Sequence, residues 1–406
     1  MSNRKRVNRS LPLMEFTDKL LTKKEVEANA RLHMTCPVLQ KKHFSPIGTH
    51  KLLFSTQEAR ILAFDKPAQL SPNYNPSIKK TYFAQMYKIQ DTLGEGSFGV
   101  VYKVISRENE EGYAVKITKK AYLTKNNYEE IKLLERIGNH QNIVKFYFAW
   151  EEMSRVFTQL ELCALSLGTY SKTNHSITEI QLLDILTDMA HALNHLHDRK
   201  LIHLDIKPEN IMISTDGIYK LGDFDLLFDI TKTEENQVKT FDITEGDAKY
   251  LAKEVLEGKV TAAADIFSLG ITMLELATDL ILPVNGPLWR RLRNGSYDDP
   301  CFTIVPKKLK TLMCKMMAPK PHARPKAKQI LNTAVVKENL SAQLLVPRVN
   351  YYEVWRASVA ETMDRDPVPV CINAQNEMNM DANMDIETTP CVTPPRKVSR
   401  VVIYNM

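Results

Sequence analysis

The sequence has no paired cysteines, no long apolar run and little net charge, and each absence removes a class of protein. Its six cysteines, Cys36, Cys163, Cys301, Cys314, Cys371 and Cys391, are scattered without a C-x-x-C pair. Neither a zinc site nor a disulfide framework is expected, and a reducing, intracellular compartment suits the chain best. The longest apolar stretch, Ile266 to Val284, is interrupted by Glu275 and Asp279. A spanning helix needs about 20 predominantly apolar residues, so no membrane span is expected. No apolar segment follows Asn3-Arg4-Lys5-Arg6 in the manner of a secretion signal. A formal net charge of +6 over 406 residues is too small to suggest a nucleic-acid partner.

What is present is an ordinary globular balance, 44% hydrophobic and 25% charged, enough apolar surface to bury a core. The charge is uneven. Residues 1–80 hold 15 Lys and Arg against 6 Asp and Glu, whereas 336–406 hold 7 against 9, leaving 81–335 close to neutral. Residues 1–80 mix basic clusters with Ser45-Pro46, Ser71-Pro72 and Asn73-Tyr74-Asn75-Pro76 and sustain no period of 3.6 or 2. They read as a basic, largely disordered arm. The Asn and Met repeats of Asn376 to Met384 and the later Thr-Pro pairs make 336–406 a flexible regulatory tail.

Residues 81–335 read as one domain in two parts, 81–162 and 163–335. The first has short β-rich runs: Met86 to Leu93, Val100 to Ile105, Tyr113 to Thr118, Val144 to Trp150 and Val156 to Leu160. They predict a five-stranded sheet with one helix inserted after the third strand. The second part is helical. Between Ile177 and His197, apolar residues Ile180, Leu183, Leu186, Met189, Ala190, Leu193 and Leu196 recur at three and four. Ser176 and Glu179 are placed as a capping box at its start, and a second buried helix is expected from Asp265 to Ala277.

The segment Leu93-Gly94-Glu95-Gly96-Ser97-Phe98-Gly99-Val100-Val101 lies between two predicted strands. Glycine-rich hairpins also arise for structural reasons, and context decides. A dinucleotide site would have a helix directly after the glycines; here a strand follows, then Ala114-Val115-Lys116 on the next strand. Strand, glycine loop, strand and lysine form the arrangement in which bare backbone covers phosphates and an ammonium pairs with them. The following helix offers Lys116 a carboxylate from Glu129 or Glu130. Glu130 is chosen because it precedes Ile131, Leu134 and Ile137, the face turned to the sheet.

The most specific block is His203-Leu204-Asp205-Ile206-Lys207-Pro208-Glu209-Asn210, followed 13 residues after Asn210 by Asp223-Phe224-Asp225. Phosphoryl transfer needs a carboxylate to accept a hydroxyl proton, a cation beside the transferring group and oxygen ligands for magnesium. Asp205, Lys207 and the pair Asn210 and Asp223 supply these in turn. Two further pairings are expected: Glu254 with Arg324 as a buried bidentate ion pair, and Asp265 accepting backbone N–H groups of the 203–210 loop.

These motifs resemble the protein kinases over about residues 87–331, and within them the Wee family of cyclin-dependent-kinase inhibitory kinases. The narrower likeness rests on Phe148-Ala149-Trp150-Glu151-Glu152, Glu161-Leu162-Cys163, the 203–210 block and above all Glu245-Gly246-Asp247-Ala248-Lys249-Tyr250-Leu251-Ala252-Lys253-Glu254-Val255-Leu256. Thr81-Tyr82-Phe83, Leu221-Gly222-Asp223-Phe224 and Leu226-Leu227 are similar to the membrane-associated, tyrosine- and threonine-directed branch, without its spanning segment. The resemblance implies an α+β, two-lobed fold with a small antiparallel sheet lobe and a mainly helical lobe, hinged at Glu161 to Cys163. It implies ATP under the glycine loop, against Ala114, Glu161 and Cys163, with Leu160 at the back of the adenine pocket and Mg2+ on Asn210 and Asp223. The implied substrate is a cyclin-dependent kinase bound to its cyclin, phosphorylated on its glycine-loop tyrosine, the adjacent threonine being a second acceptor, which delays mitosis. Tyrosine and threonine stay open, since the loop holding Lys207 is of serine/threonine type.

Leu204 stands where most kinases have arginine, so activity is expected without a phosphorylated activation loop. Asp225 stands where glycine is usual, and it keeps open the alternative of a catalytically weak scaffold binding cyclin complexes; a serine/threonine kinase with other substrates is a further alternative, supported by the Lys207 position and opposed by Glu245-Gly246-Asp247. Arg60-Ile61-Leu62-Ala63-Phe64 fits the R-x-L-x-F pattern that docks on cyclins, and equally an ordinary amphipathic stretch. Thr389-Pro390 and Thr393-Pro394-Pro395-Arg396 fit phosphorylation by the substrate kinase. Arg4-Lys5-Arg6 and Arg396-Lys397 fit import signals or solvated termini, so nuclear and cytoplasmic residence both remain. A monomer is expected.

Overall fold

The computed structural model describes residues 20–27, 58–64, 68–96, 99–119, 125–232, 247–297, 300–345 and 347–365. Ser97 and Phe98 of the glycine loop, Glu245-Gly246, the Thr-Pro sites and both basic termini lie outside the described residues. The chain divides into two units, Met1–Val354 and Trp355–Met406.

In the first unit, strands β1 (Arg60–Leu62), β2 (Tyr87–Glu95), β3 (Gly99–Ser106), β4 (Gly112–Thr118), β5 (Phe146–Glu152) and β6 (Arg155–Glu161) form one antiparallel sheet, ordered β1-β5-β6-β4-β3-β2. Alternation builds it: Val100, Tyr102 and Val104 of β3 and Tyr113, Val115 and Ile117 of β4 turn inward onto Trp150 and Phe157. The sequence predicts five strands and the structure has six. The additional strand, β1, belongs to the segment read as a disordered arm; it pairs Arg60 with Glu151, Ile61 with Trp150 and Leu62 with Ala149. Burial of Leu62, 5% exposed, and an Arg60–Glu151 contact of 2.8 Å hold it there.

Helix α1 (Tyr82–Met86) precedes β2 and explains two of the sequence motifs together. Thr81 caps it, its hydroxyl accepting the Ala84 N–H at 3.0 Å. The buried Glu152 carboxylate accepts the Tyr82 N–H at 2.7 Å and the Phe83 N–H at 3.3 Å, an anion at a helix N-terminus. The Tyr82 ring meets the Trp150 ring edge-on at 5.2 Å. Thr81-Tyr82-Phe83 and Trp150-Glu151-Glu152 are therefore two halves of one contact.

Helix α2 (Lys125–Ile137) lies between β4 and β5, with Ile131, Leu134 and Ile137 buried on its inner face. The helical lobe begins after β6 with β7 (Leu165–Ser166) and α3 (Leu167–Thr173), followed by α4 (Glu179–Asp198). The α4 cap is Thr178, which accepts the Gln181 N–H at 3.2 Å, in place of the expected Ser176 and Glu179 box. Ile180, expected in the core, lies in the first turn of α4 and is 60% exposed, whereas Leu182, Leu183, Ile185 and Leu186 are buried. Strands β8 (Leu201–Ile202), β9 (Ile211–Ile213), β10 (Tyr219–Leu221) and β11 (Phe228–Asp229) bracket the 203–210 and 223–225 motifs in two small sheets, β7-β9-β10 and β8-β11. Helices α5 (Lys253–Leu256), α6 (Ala262–Thr278), α7 (Gly286–Arg293), α8 (Lys307–Met316), α9 (Ala327–Leu331) and α10 (Ala334–Leu345) complete the lobe. Gly270 of α6 is required by close packing, since a Cβ there would lie 2.7 Å from Met317 Cγ. Helix α11 (Tyr351–Arg365) carries the described part of the second unit, where Ser358 Oγ donates to the Trp355 carbonyl at 2.8 Å.

Candidate active site

The glycine segment is the β2–β3 hairpin, closed by a Gly96 N–H to Gly99 carbonyl bond of 2.9 Å. Its glycines differ in cause. A Cβ on Gly99 would sit 2.5 Å from the Ile117 carbonyl oxygen, so packing against β4 excludes any side chain there. A Cβ on Gly94 or Gly96 would meet nothing within 4 Å, so nothing in the described protein forbids one. Their bareness instead leaves backbone free for close approach by a ligand.

Lys116 faces the cleft from β4, with Ala114 paired to Leu160 in the next strand. Its Nζ lies 3.8 Å from Glu130 Oε1 on α2 and 3.9 Å from Asp223 Oδ1. Glu129, the other glutamate, lies 2.9 Å from Lys132 along the same helix. Burial pushes the Glu130 carboxyl above the usual glutamate range, and Lys116 opposes the shift. The shortest contact of Lys116 is with neither: its Nζ donates directly to Asp225 Oδ1. This bond escapes sequence reasoning because its partners are 109 positions apart; the only signal is a carboxylate where glycine is usual.

The loop 203–210 is anchored from below. Asp265, fully buried on α6, accepts the His203 N–H through Oδ2 and the Leu204 N–H through Oδ1, both at 2.9 Å. The His203 ring accepts the Asp205 N–H at Nδ1 (3.2 Å), so its Nε2–H donates to the Gly222 carbonyl (3.0 Å). One imidazole thereby fixes the loop to the segment after β10 that carries Asp223.

Above this anchor, Lys207 Nζ donates to both Asp205 oxygens, at 2.8 and 3.1 Å. Asn210 Nδ2 donates to Asp205 Oδ2 at 2.7 Å and to the Asp205 carbonyl at 2.9 Å. Burial would depress the Lys207 ammonium, but the carboxylates around it, Asp205 foremost and then Asp247 and Asp223, together more than offset it, and the lysine stays above its ordinary value. With its amide nitrogen so committed, Asn210 presents its side-chain oxygen as an acceptor. Asp223 adds a carboxylate that is 47% exposed, held at a left-handed φ of 55°. Two hard oxygen donors beside the Lys116 ammonium fit a divalent cation that would complete its shell with water and ligand oxygens. Among the described residues no cluster of three or more His, Cys, Asp or Glu could hold a metal without such help.

At the hinge, Tyr113 pairs with Glu161, and the Glu161 carboxylate turns to Lys220 at 3.2 Å and to the Lys145 N–H at 3.1 Å. The Glu161 N–H also donates to the Lys145 carbonyl at 2.8 Å, so of this residue at most the backbone carbonyl is left for a ligand. Burial pushes the Cys163 thiol up to about 12, so it is a packing group with no thiolate character. An open depression of about 370 Å³ lined by His140, Lys145, Tyr147, Glu161 and Lys220 shares Glu161 with the hinge but none of Lys116, Asp205, Asn210 or Asp223.

The segment after the undescribed Gly246 begins with Asp247, whose Oδ1 accepts the Lys249 N–H at 3.0 Å and so shapes a tight turn. Arg293 of α7, 2% exposed, holds this turn by three carbonyls: Leu251 (2.9 Å), Ala248 (3.0 Å) and Lys249 (2.9 Å). Trp289 Nε1 adds a bond to the Ala248 carbonyl at 2.8 Å, and its ring lies 3.7 Å under the guanidinium. Sequence reasoning missed both residues, since an Arg and a Trp on an amphipathic helix carry no sign of distant carbonyl partners. Glu254 and Arg324 meet as expected: Arg324 Nη1 bonds Glu254 Oε1, and Nη2 bonds Oε2 at 3.0 Å, with both side chains buried.

A two-lobed fold with a glycine hairpin, a strand lysine paired to a helix glutamate, and an Asp-Lys-Asn loop facing a second aspartate defines the protein kinase class. Residues 87–336 match the protein kinase domain family, and the chain belongs to it. Within that family its similarity is to Wee-type kinases. It is 40% identical over 279 residues to the membrane-associated tyrosine- and threonine-specific cdc2-inhibitory kinase wee-1.3 of Caenorhabditis elegans, covering 68% of this chain and 40% of that protein. The membrane-associated tyrosine- and threonine-specific cdc2-inhibitory kinase of Drosophila melanogaster is 40% identical over 261 residues, 63% of this chain and 48% of its own. A Wee1-like protein kinase of Oryza sativa subsp. japonica is 32% identical over 272 residues, 66% and 50% respectively. The chain thus spans half or less of the length of these relatives. No helix among the described residues is long and apolar enough to cross a membrane.

Proposed function

We propose that this chain transfers the γ-phosphoryl group of ATP to a cyclin-dependent kinase, on the glycine-loop tyrosine or the adjacent threonine, and so restrains the onset of mitosis. The observation that carries the reading is the convergence of Lys116, Asp205, Lys207, Asn210 and Asp223 in one cleft, in a chain whose relatives are named for cdc2 inhibition. ATP would lie under Leu93 to Val101, its adenine against Ala114 and the backbone of Glu161 and Cys163. Lys116, steadied by Glu130, would orient the phosphates. Asn210 and Asp223 would hold Mg2+, which when bound supplies charge neutralisation for the phosphates.

Asp205 would accept the proton of the substrate hydroxyl as its oxygen attacks the γ-phosphorus; the bond from that phosphorus to the β–γ bridging oxygen breaks, and ADP leaves. Lys207 would stabilise charge on the transferring group. The product phosphate brings about −1.5 to −2 charges at neutral pH, which, set over the target's own ATP phosphates, opposes its catalysis. The enzyme would act as a monomer on the kinase and its cyclin, in nucleus or cytoplasm.

Docking of the cyclin on Arg60, Leu62 and Phe64 would require β1 to leave the sheet, because Leu62 is buried and Arg60 is paired with Glu151. A second reading, a weak scaffold that binds cyclin complexes, is favoured by the hold of Asp225 on Lys116. The deciding experiment incubates the full chain with ATP, Mg2+ and a catalytically dead cyclin-dependent kinase bound to its cyclin, and maps phosphate by mass spectrometry. Phosphate on the glycine-loop tyrosine or threonine is expected. Complex formation without transfer would establish the scaffold, and transfer to other sites alone would establish a kinase with other substrates.

A further inference from the structure

Lys116 is surrounded by three carboxylates, and the nearest and least exposed is the one that the usual kinase pattern lacks. Asp225 bonds Nζ directly, with 11% of its side chain exposed, whereas Glu130 and Asp223 stand 3.8 and 3.9 Å away with 25% and 47% exposed. Lys116 itself is 14% exposed. A carboxylate oxygen on an ammonium has the charge and the hydrogen-bond demand of a phosphate oxygen. Both seek the same N–H donors, and both are strengthened by the low local dielectric.

We propose that Asp225 is a built-in competitor for the phosphate-binding lysine, so that a nucleoside triphosphate reaches Lys116 only by displacing the Asp225 carboxylate. The inference rests on the cleft's being a nucleotide site, as proposed above. Its physical content is twofold. Nucleotide binding breaks a charge-assisted hydrogen bond that a glycine at this position would never form, which lowers affinity by about tenfold or more. The displaced carboxylate, together with Asp223 and Glu130, then faces the polyphosphate, so binding depends on divalent cation more steeply than with an uncharged residue at 225. Asp225 is a positioning residue in this scheme, acting through Lys116.

The test compares the full-length wild type with Asp225→Asn, which keeps the side-chain shape, and with Asp225→Gly. Binding of ATP and ADP is measured by titration calorimetry, with 10-fold excess Mg2+ over nucleotide and again in chelator, and the ATP KM is compared with kcat. Melting without nucleotide verifies folding of each variant. Both variants are expected to bind at least about tenfold more tightly than wild type, with the gain larger in chelator and appearing in KM. Equal or weaker binding by a folded Asp225→Asn would overturn the proposal while leaving the kinase reading intact. A fall in kcat at unchanged affinity would also overturn it, assigning Asp225 to the transfer step. Failure of wild type and both variants to bind nucleotide would overturn this proposal and the kinase reading together.

Discussion

Asp265 Oδ1 accepts the backbone N–H of Leu204 at 2.9 Å, and Leu204 sits at a φ of +68° with its side chain 2% exposed. A left-handed conformation costs a branched L-residue about 1–2 kcal/mol. The buried Asp265 carboxylate, also bonded by the His203 N–H and by His197 Nε2, offsets that strain with charge-assisted bonds. The 203–210 loop is thus held from α6 beneath it.

That arrangement predicts independence from activation-loop phosphorylation. An arginine at 204 would offer a phosphate a bidentate clamp; Leu204 offers none and is packed inside. Activity of the purified chain should survive phosphatase treatment within about twofold, and its abolition would contradict the assignment.

The Glu254–Arg324 pair ties the end of the activation segment to the turn before α9. Arg324 also donates to the Ala318 and Ala263 carbonyls, at 2.8 and 2.9 Å. Glu254→Ala would leave a buried guanidinium without its counter-charge, and loss of about 3–5 kcal/mol of stability is expected, read from chemical unfolding.

Leu62 provides a test of what the R-x-L-x-F segment does. As a buried side chain on β1, its replacement by alanine should cost about 2–4 kcal/mol, visible as a lowered melting temperature of the isolated chain. Unchanged stability with lost cyclin binding would instead mark the segment as a docking motif.

A pH dependence follows from His140, whose ring lies 4.6 Å from the His195 ring. Burial, then the neighbouring His195, holds the His140 pKa down at about 4, and burial lowers His195 as well. An unfolded histidine titrates near about 6.5, so between these values the unfolded state binds more protons than the folded one. Stability is therefore complete above about pH 6.5 and falls as the pH drops toward 4. Unfolding midpoints at pH 7 and 5 should differ, and His140→Gln should reduce the difference; a flat profile would contradict the burial of this pair.

Much of the molecule was legible because spacing encodes it. The apolar positions of β3, β4 and α2 repeat at the period of their element, so Ile131, Leu134 and Ile137 identified the helix face beside Glu130. The convergence of Asp205, Lys207 and Asn210 was legible because they lie within six positions of one another and hydrogen-bond locally. Strand β1 was not, since three residues cannot display a period of two and the pairing of Arg60 with Glu151 spans 91 positions. The α4 cap moved from Ser176 to Thr178 because either hydroxyl satisfies the local rule. Arg293 and Asp225 escaped for one reason: each derives its role from a partner far away in sequence, a set of carbonyls for one and Lys116 for the other.

The central claim is that Asp205 performs its role in a working phosphoryl-transfer cleft. The most direct measurement is phosphate transfer from ATP, with Mg2+, to the dead cyclin-dependent kinase and cyclin by wild type and by Asp205→Asn, with nucleotide binding measured on the same samples. The account predicts transfer by the wild type, its loss by at least about a hundredfold in the variant, and ATP binding retained by both. Equal transfer by the two proteins, or none by a wild type that binds ATP and the complex, would contradict it.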